Sequence, residues 1–183
     1  IDQLESTGQT QGILAYGSQI QMKSIDQIMP DTHPVILVLD HLEDPYNMGA
    51  IMRTCECLGV KAVVFAKDRQ VQLTAGVLKT SSGAAYHLDL IRVTNLAQAL
   101  KSLRKQGYWI YGTMIENGDP LEQVIVNKPL ALVVGNERKG LSSQLSKLVD
   151  NNIYIPMKGK INSLNVSVAT AIVLYNILNK EAS

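Results

Sequence analysis

Short apolar runs rich in β-branched residues alternate with helical patterns along most of this chain. Strands that alternate with helices of about 10–15 residues indicate βαβ units and a mostly parallel sheet. The sequence therefore predicts an α/β fold with flanking helices. We assign residues 34–183 to this domain and interpret residues 1–33 as a polar linker tail. The apolar runs lie at Val35–Leu39, Ala62–Phe65, Leu88–Val93, Tyr108–Met114, Leu130–Val134 and Ile153–Ile155, and the helical patterns at 47–58, 71–80, 95–106, 141–149 and 165–178.

Charge and cysteine content narrow the functional classes. Seventeen basic and sixteen acidic residues leave a net charge of +1, so any nucleic-acid binding must come from local patches. Cys55 and Cys57 match no zinc or redox spacing, and we interpret them as free thiols in the cytoplasm. The longest uncharged stretch, residues 161–179, contains too many polar residues for a membrane span.

The helical pattern over residues 165–178 is apolar around most of its circumference. Such a helix must be buried, either in the core of its own domain or against a second subunit. The pattern alone leaves both possibilities open.

The loop after the first apolar run contains candidate functional residues. Ligands of α/β sheets bind beyond the carboxyl ends of the strands, which places this loop at the expected edge. Asn47 can cap the following helix, and Gly49 and Arg53 lie on one helical face. Because Gly49 has no side chain, we expect Arg53 to reach back toward the helix N-terminus and form a gap suited to a phosphate. The alternative is a surface Arg53 that pairs with Glu56.

The loops after two later apolar runs, Leu130–Val134 and Ile153–Ile155, also contain candidate functional residues. After Leu130–Val134, Gly135 and Gly140 bracket Glu137, which could bind a ribose or orient Arg53. The alternative is a plain strand-to-helix turn, since no dinucleotide fingerprint or phosphate-binding P-loop occurs in the chain. The third loop runs from Ile155 to Ser167, where Ser163 or Asn165 is a candidate helix cap. Both loops carry basic residues that are compatible with RNA phosphates, at Arg138, Lys139, Lys158 and Lys160.

Together the three loops resemble the three signature motifs of the SPOUT superfamily, and more narrowly its SpoU or TrmH-like branch of RNA ribose 2′-O-methyltransferases. The likeness covers about residues 35–178, and three motifs in register make it strong. The matching residues are Asn47, Gly49 and Arg53 in the first motif, Gly135, Glu137, Gly140 and Leu141 in the second, and Ile155, Pro156, Ser163, Leu164, Asn165, Val166, Ser167 and Ala169 in the third.

The resemblance implies a fold, a cofactor and an assembly. The fold would be an α/β sheet with a C-terminal deep trefoil knot, which general topology rules disfavour. The cofactor would be S-adenosylmethionine, no metal would be needed, and the protein would be a homodimer whose active site uses both chains. The implied cofactor-binding residues are Thr113, Met114, Gly135, Ile155, Ser163 and Leu164.

The resemblance also implies roles for the catalytic residues. Arg53 is the family's principal catalytic residue, and Asn47, Glu137 and Asn165 would orient it. A guanidinium scarcely loses its proton, so we interpret Arg53 as a clamp on a phosphate that positions the ribose hydroxyl. The general base stays unassigned.

The likeness is greatest to the enzymes that methylate guanosine in 23S ribosomal RNA. Those proteins carry an N-terminal RNA-binding domain, so we expect such a domain to have preceded Gln11-Gly12-Ile13. A transfer RNA substrate is the first alternative, and a non-catalytic RNA-binding module of the same fold is the second. A nicotinamide-dependent oxidoreductase would need a glycine fingerprint after the first strand, which is absent.

Overall fold

A computed structural model of the protein describes residues 19–68, 70–136 and 140–180. Within these residues seven strands form one sheet in the order β3-β2-β1-β6-β4-β7-β5. All of the neighbouring strands are parallel. The predicted α/β class with a mostly parallel sheet is confirmed. The strands are β1 Val35–Leu39, β2 Ala62–Ala66, β3 Asp89–Val93, β4 Trp109–Met114, β5 Asp119–Pro120, β6 Leu130–Val134 and β7 Asn151–Tyr154.

Five α-helices in the described residues cover the two faces of the sheet. They are α1 Pro45–Cys57, α2 Ala75–Thr80, α3 Leu96–Lys105, α4 Ser143–Ser146 and α5 Val166–Asn179, and two short 3₁₀ helices lie at Ile25–Gln27 and Ala84–Tyr86. Buried residues of α1, α2 and α5 pack on one face. Those of α3 and α4 pack on the other face. The central strands β1 and β6 are buried along their whole length, as expected for parallel strands covered on both faces.

Several predicted element boundaries are wrong for local reasons. The helix predicted over 71–80 begins at Ala75, because Thr74 caps it by accepting a hydrogen bond from Val77 N. The pattern over 141–149 contains only Ser143–Ser146 as α-helix. Asp150 N donates a hydrogen bond to Ile110 O at 2.7 Å, which draws the chain into β7 two residues before the predicted start. The two-residue strand β5 carries no sequence signal.

The first helix is capped by Asp44 and not by Asn47. The Asp44 carboxylate accepts hydrogen bonds from Tyr46 N at 3.0 Å and Asn47 N at 3.3 Å. Pro45 occupies the first helical position, where the missing N–H costs nothing. The sequence prediction failed because both Asp44 and Asn47 are good caps, and the one that precedes the proline takes the role. Asn47 is therefore inside the helix and buried.

The described end of the predicted tail, residues 19–33, packs against the domain. Ile28 is fully buried beside α3. Lys23 N donates to Leu90 O at 2.8 Å and forms a parallel bridge with Ile91, so this segment continues the sheet beyond the edge strand β3. The predicted linker role of residues 1–18 lies outside the described residues.

Two basic side chains hold this segment to Asp89. Lys23 Nζ lies 2.7 Å from one carboxylate oxygen and His33 Nε2 lies 2.8 Å from the other. Partial burial alone would raise the pKa of Asp89, but hydrogen bonds and charge attraction from Lys23 and His33 outweigh it and lower that pKa. The carboxylate therefore stabilises the fold at neutral pH.

Replacing Asp89 with asparagine is expected to lower the free energy of unfolding by about 1–2 kcal/mol near pH 7. Because the pKa is depressed in the folded state, the stabilisation is present above the unfolded-state pKa and is lost as pH falls through the folded value. Urea unfolding from pH 7 downward should show the two proteins converging below about pH 4. Glu116→Gln, at an exposed position, is the charge-matched control. A difference that does not change with pH would contradict the ion-pair interpretation.

Candidate functional site

A cavity lies at the carboxyl ends of β4, β6 and β7, against α5. Its position agrees with the rule that ligands of parallel sheets bind at this edge. All six of the sequence-predicted cofactor-binding residues line it. The lining consists of Thr113, Met114, Ile115, Val134, Gly135, Asn136, Gly140, Ile153, Ile155, Met157, Asn162, Ser163, Leu164, Val166, Ala169, Thr170 and Val173.

Gly135 lets two backbone segments meet at the mouth of this cavity. A Cβ added to Gly135 would lie 2.3 Å from both the carbonyl carbon and the oxygen of Gly140. The next residue, Asn136, exchanges two backbone hydrogen bonds with Gly140, at 3.0 and 2.9 Å. Gly140 has a φ of 65°, which favours glycine. The two glycines of the second motif thus close a loop, and the predicted catalytic Glu137 lies outside the described residues.

A buried carboxylate that the sequence reasoning missed holds this loop to β1. Asp40 is 1% exposed, accepts a hydrogen bond from Ser142 N at 2.7 Å and contacts the imidazole of His41. Asn136 Nδ2 donates to the backbone oxygen of His41 at 3.1 Å. The available signal was an aspartate directly after a fully buried strand, at the edge where polar residues gather.

A pair of asparagines joins the first and third loops. Asn165 caps α5, its Oδ1 accepting from Ser167 N at 2.9 Å and from Val168 N at 3.4 Å. Its Nδ2 donates to Asn47 Oδ1 at 3.0 Å. Of the two cap candidates, Asn165 takes the role and Ser163 lines the cavity. This bond holds the start of α5 to α1, beside the cavity.

The structure does not bring Arg53 to the cavity within one chain. Arg53 lies in an apolar groove between α1 and α5, and its Nη1 donates to Ser82 Oγ at 3.3 Å. The alternative pairing with Glu56 is not formed, both residues being among those described. The groove is lined by Arg53, Thr54, Cys57, Leu58, Ala171, Ile172, Tyr175 and Asn176.

The predicted gap over Gly49 is wrong. A Cβ at Gly49 would lie 1.9 Å from Thr80 Oγ1 and 2.9 Å from Ser81 N. The space left by the absent side chain is therefore filled by the end of α2, and not by the Arg53 side chain. This contact could not be predicted from the local sequence pattern, because α2 begins 26 residues further along the chain.

The cysteines and the other possible metal ligands of the described residues form no second candidate site. Cys55 and Cys57 are free thiols, as predicted, and burial raises the pKa of Cys55 to about 12. Across residues 19–68, 70–136 and 140–180, no cluster of three His, Cys, Asp or Glu side chains could hold a metal ion. None of the helices in the same ranges is long and apolar enough to cross a membrane.

Known proteins resemble the chain over most of its length. A model of the SpoU rRNA Methylase family matches residues 34–175. One relative, from Staphylococcus saprophyticus, is named as a TrmH family tRNA/rRNA methyltransferase. It is 40% identical to this chain, and the match covers 93% of this chain and 70% of the relative.

Solved structures that share this fold include proteins at least 25% identical to the chain in sequence. The SpoU methyltransferase AviRb of Streptomyces viridochromogenes, in complex with the cofactor AdoMet, matches with a TM-score of 0.78 and 25% identity over 86% of this chain. The TrmH/SpoU tRNA modifying enzyme of A. aeolicus matches with a TM-score of 0.73 and 31% identity over 80% of this chain. This chain spans 64% and 74% of those two chains.

Proposed function

The chain belongs to the SpoU rRNA methylase family, and from that premise we propose that it is an S-adenosylmethionine-dependent RNA methyltransferase acting on a ribose 2′-hydroxyl. The observation that carries the proposal is the cavity at the carboxyl edge of the sheet. Two of the three signature loops, those of the second and third motifs, contribute to its wall, and the Asn47–Asn165 bond ties the first motif to it.

The cavity wall fits the cofactor in its chemistry. Small-molecule sites combine apolar walls with a few polar groups, and the lining residues of this cavity have that character. Met114, Ile155 and Leu164 offer apolar contact for an adenine ring. Ser163 and the backbone around Gly135 offer hydrogen bonds for the ribose and the amino acid part. When bound, S-adenosylmethionine supplies a methyl group on a cationic sulfur, which is already an activated donor.

The protein residues then have to align the ribose hydroxyl for in-line attack. Arg53 acts as a clamp on the neighbouring phosphate, which a guanidinium can bind with two parallel hydrogen bonds. Asn47 and Asn165 fix the relative positions of α1 and α5, and we assign Glu137 to orienting the clamp. The group that accepts the hydroxyl proton is unassigned.

The proposed substrate is a guanosine of 23S ribosomal RNA, with transfer RNA as the alternative. The family name supports ribosomal RNA, whereas the description of the S. saprophyticus relative names both transfer and ribosomal RNA. The A. aeolicus enzyme, a tRNA modifying enzyme at 31% identity, favours the alternative. Exposed Lys158 and Lys160 beside the cavity are suited to the phosphates of either RNA.

We infer a homodimer and a C-terminal trefoil knot as further parts of the proposal. Val168, Ile172 and Tyr175 are large apolar residues of α5 that are 40–63% exposed in the single chain. They continue the apolar groove in which Arg53 lies. A second copy packed on this face would cover them and would complete a site that one chain leaves divided between groove and cavity. The knot is supported by the fold likeness to SpoU methyltransferases.

The remaining parts of the proposal concern the protein around this domain. Residues 34–183 would form the catalytic domain, against which residues 19–33 pack. A cytoplasmic location is supported by the two free thiols.

Isothermal titration with S-adenosylhomocysteine tests the cofactor site without needing the RNA. We expect micromolar binding to a protein whose mass by light scattering is that of a dimer. Leu164→Trp should abolish binding, because the indole would fill the cavity that Leu164 lines. Ile125→Leu, at an exposed position that lines neither the cavity nor the groove, is the control for an apolar substitution. A folded dimer that does not bind would favour the non-catalytic RNA-binding module.

A further inference from the structure

A turn at residues 80–83 joins α2 to the 3₁₀ helix Ala84–Tyr86 and packs along α1. We propose that Ser82 in this turn is a positioning residue, whose hydroxyl accepts a hydrogen bond from Arg53 and holds the guanidinium in its working direction. The proposal deepens the proposed function and rests on it for the role of Arg53.

The turn is firmly seated, which is what a positioning element requires. Thr80 Oγ1 lies so close to Gly49 that a Cβ there would be 1.9 Å away. The same hydroxyl is within hydrogen-bond distance of Pro45 O at 3.3 Å and Gly76 O at 2.8 Å. Ser81 is fully buried and donates to Leu78 O at 2.9 Å. The position of residue 82 relative to α1 is therefore fixed by its two predecessors.

The backbone at Ser82 is in a conformation that serine seldom adopts. Its φ is 52°, and that of the following Gly83 is 86°. Glycine or asparagine would adopt the left-handed region at lower cost. Backbone strain at a non-glycine residue suggests that its side chain has a function. For Ser82 that function is to accept the 3.3 Å hydrogen bond from Arg53 Nη1.

The hydrogen bond from Arg53 to Ser82 restricts the motion of the guanidinium. Arg53 lies in an open groove, where a long side chain samples many rotamers and must lose that freedom to bind a phosphate. Tethering Nη1 removes part of this cost beforehand. The guanidinium has five N–H donors, so Nε and Nη2 stay available for a bidentate phosphate contact. Ser82 thus orders the clamp without competing with the substrate.

The test compares Ser82→Gly, Ser82→Ala and Ser82→Asn in the full-length protein. Methyl transfer is measured from radiolabelled S-adenosylmethionine to in vitro transcribed 23S ribosomal RNA and transfer RNA. In the glycine and alanine variants we expect kcat to fall about tenfold while KM for RNA changes less than about twofold. Asparagine tolerates the left-handed backbone and carries an acceptor oxygen, so it should restore about half of the lost kcat or more. Ser146→Ala, whose hydroxyl bonds only locally to Ser143 O, is the matched control.

The glycine variant separates positioning from stability. It removes the backbone strain, so urea unfolding should show it to be at least as stable as the parent protein while kcat falls. In an Arg53→Met background the Ser82→Gly change should have no further effect, because methionine has no N–H donor and the hydrogen bond to Ser82 is already lost. A full kcat in Ser82→Gly, or an equal loss of kcat in the methionine background, would overturn the proposal.

A readout that needs no RNA keeps this inference distinct from the proposed function. The NMR order parameter of the Arg53 Nε–H bond should fall in Ser82→Gly and recover in Ser82→Asn. If it does not change, Ser82 does not hold Arg53 and the inference is wrong, even where S-adenosylhomocysteine binds. If the order parameter falls but the parent protein fails to bind S-adenosylhomocysteine, the proposed function is wrong and Ser82 has no clamp to position.

Discussion

Replacing Arg53 with alanine is expected to lower methyl transfer by at least about a hundredfold while leaving the affinity for S-adenosylhomocysteine unchanged. The rate and the affinity should respond differently because of where Arg53 lies. Arg53 lies in the groove between α1 and α5 and is absent from the wall of the proposed cofactor cavity. Its removal would take away the proposed phosphate clamp without altering the cavity. Single-turnover methylation measures the first quantity and isothermal titration the second.

Two further arginine variants make this result interpretable. Arg53→Lys keeps the positive charge but loses the planar fork, and we expect it to recover less than about a tenth of the rate. Arg92→Ala removes an exposed arginine from the edge strand β3 and controls for the loss of one charge toward RNA. Normal methylation by Arg53→Ala would show that the clamp assignment is wrong. A matching loss of cofactor affinity would show that Arg53 reaches the cavity of its own or a second chain.

The sequence was sufficient for the layers of the fold because periodicity reports burial directly. Continuous apolar runs such as Val35–Leu39 and Leu130–Val134 are what doubly covered strands require, and both are fully buried. The two-residue strand β5 has too few residues to show a period. Helix α4 was overestimated because α-helical periodicity continued past Ser146, where tertiary hydrogen bonds of Asp150 draw the chain toward β4.

The edge of the sheet where the site lies was predictable, because ligands of parallel sheets bind beyond the carboxyl ends of the strands. The individual cofactor-binding residues were predicted from the family resemblance, and they line the cavity at this edge. Contacts between distant segments gave no such signal. The approach of Thr80 to Gly49, the bond from Asn165 to Asn47 and the support of the Gly135 loop by Asp40 each join segments more than 25 residues apart.

The division of the site between a cavity and a groove bears on the oligomeric state. Arg53 and the exposed apolar residues of α5 share the groove, whereas the predicted cofactor residues line the cavity. A monomer would leave the apolar face of α5 exposed to solvent. It would also leave Arg53, the proposed phosphate clamp, apart from the cavity proposed for the methyl donor. A dimer through α1 and α5 would remove both difficulties at once, since the same surface that buries Tyr175 would bring a second chain beside Arg53.

Replacing Gly135 with alanine is expected to weaken S-adenosylhomocysteine binding by about a hundredfold or more, equivalent to about 3 kcal/mol. The added Cβ would lie 2.3 Å from the carbonyl carbon and oxygen of Gly140 and 2.6 Å from Leu141 N. These are backbone atoms, so no side-chain rotation can relieve the overlap, and the loop must open. Opening breaks the paired backbone bonds between Asn136 and Gly140 and displaces Asn136 from the cavity wall. The expected loss of stability is about 2–4 kcal/mol.

Stability and binding can be separated with a second glycine. In Gly76→Ala the nearest atom to the new Cβ is Thr74 Oγ1 at 3.6 Å, an ordinary contact within α2, so this variant should bind normally and gain up to about 1 kcal/mol of stability. Binding is measured at a temperature where urea unfolding shows Gly135→Ala to be folded. If folded Gly135→Ala bound S-adenosylhomocysteine as tightly as the parent, the Gly135 loop would not form part of the cofactor site. The proposed site would then have to be built from the end of β4, where Thr113 and Met114 lie, and from Ser163 and Leu164 of the third loop.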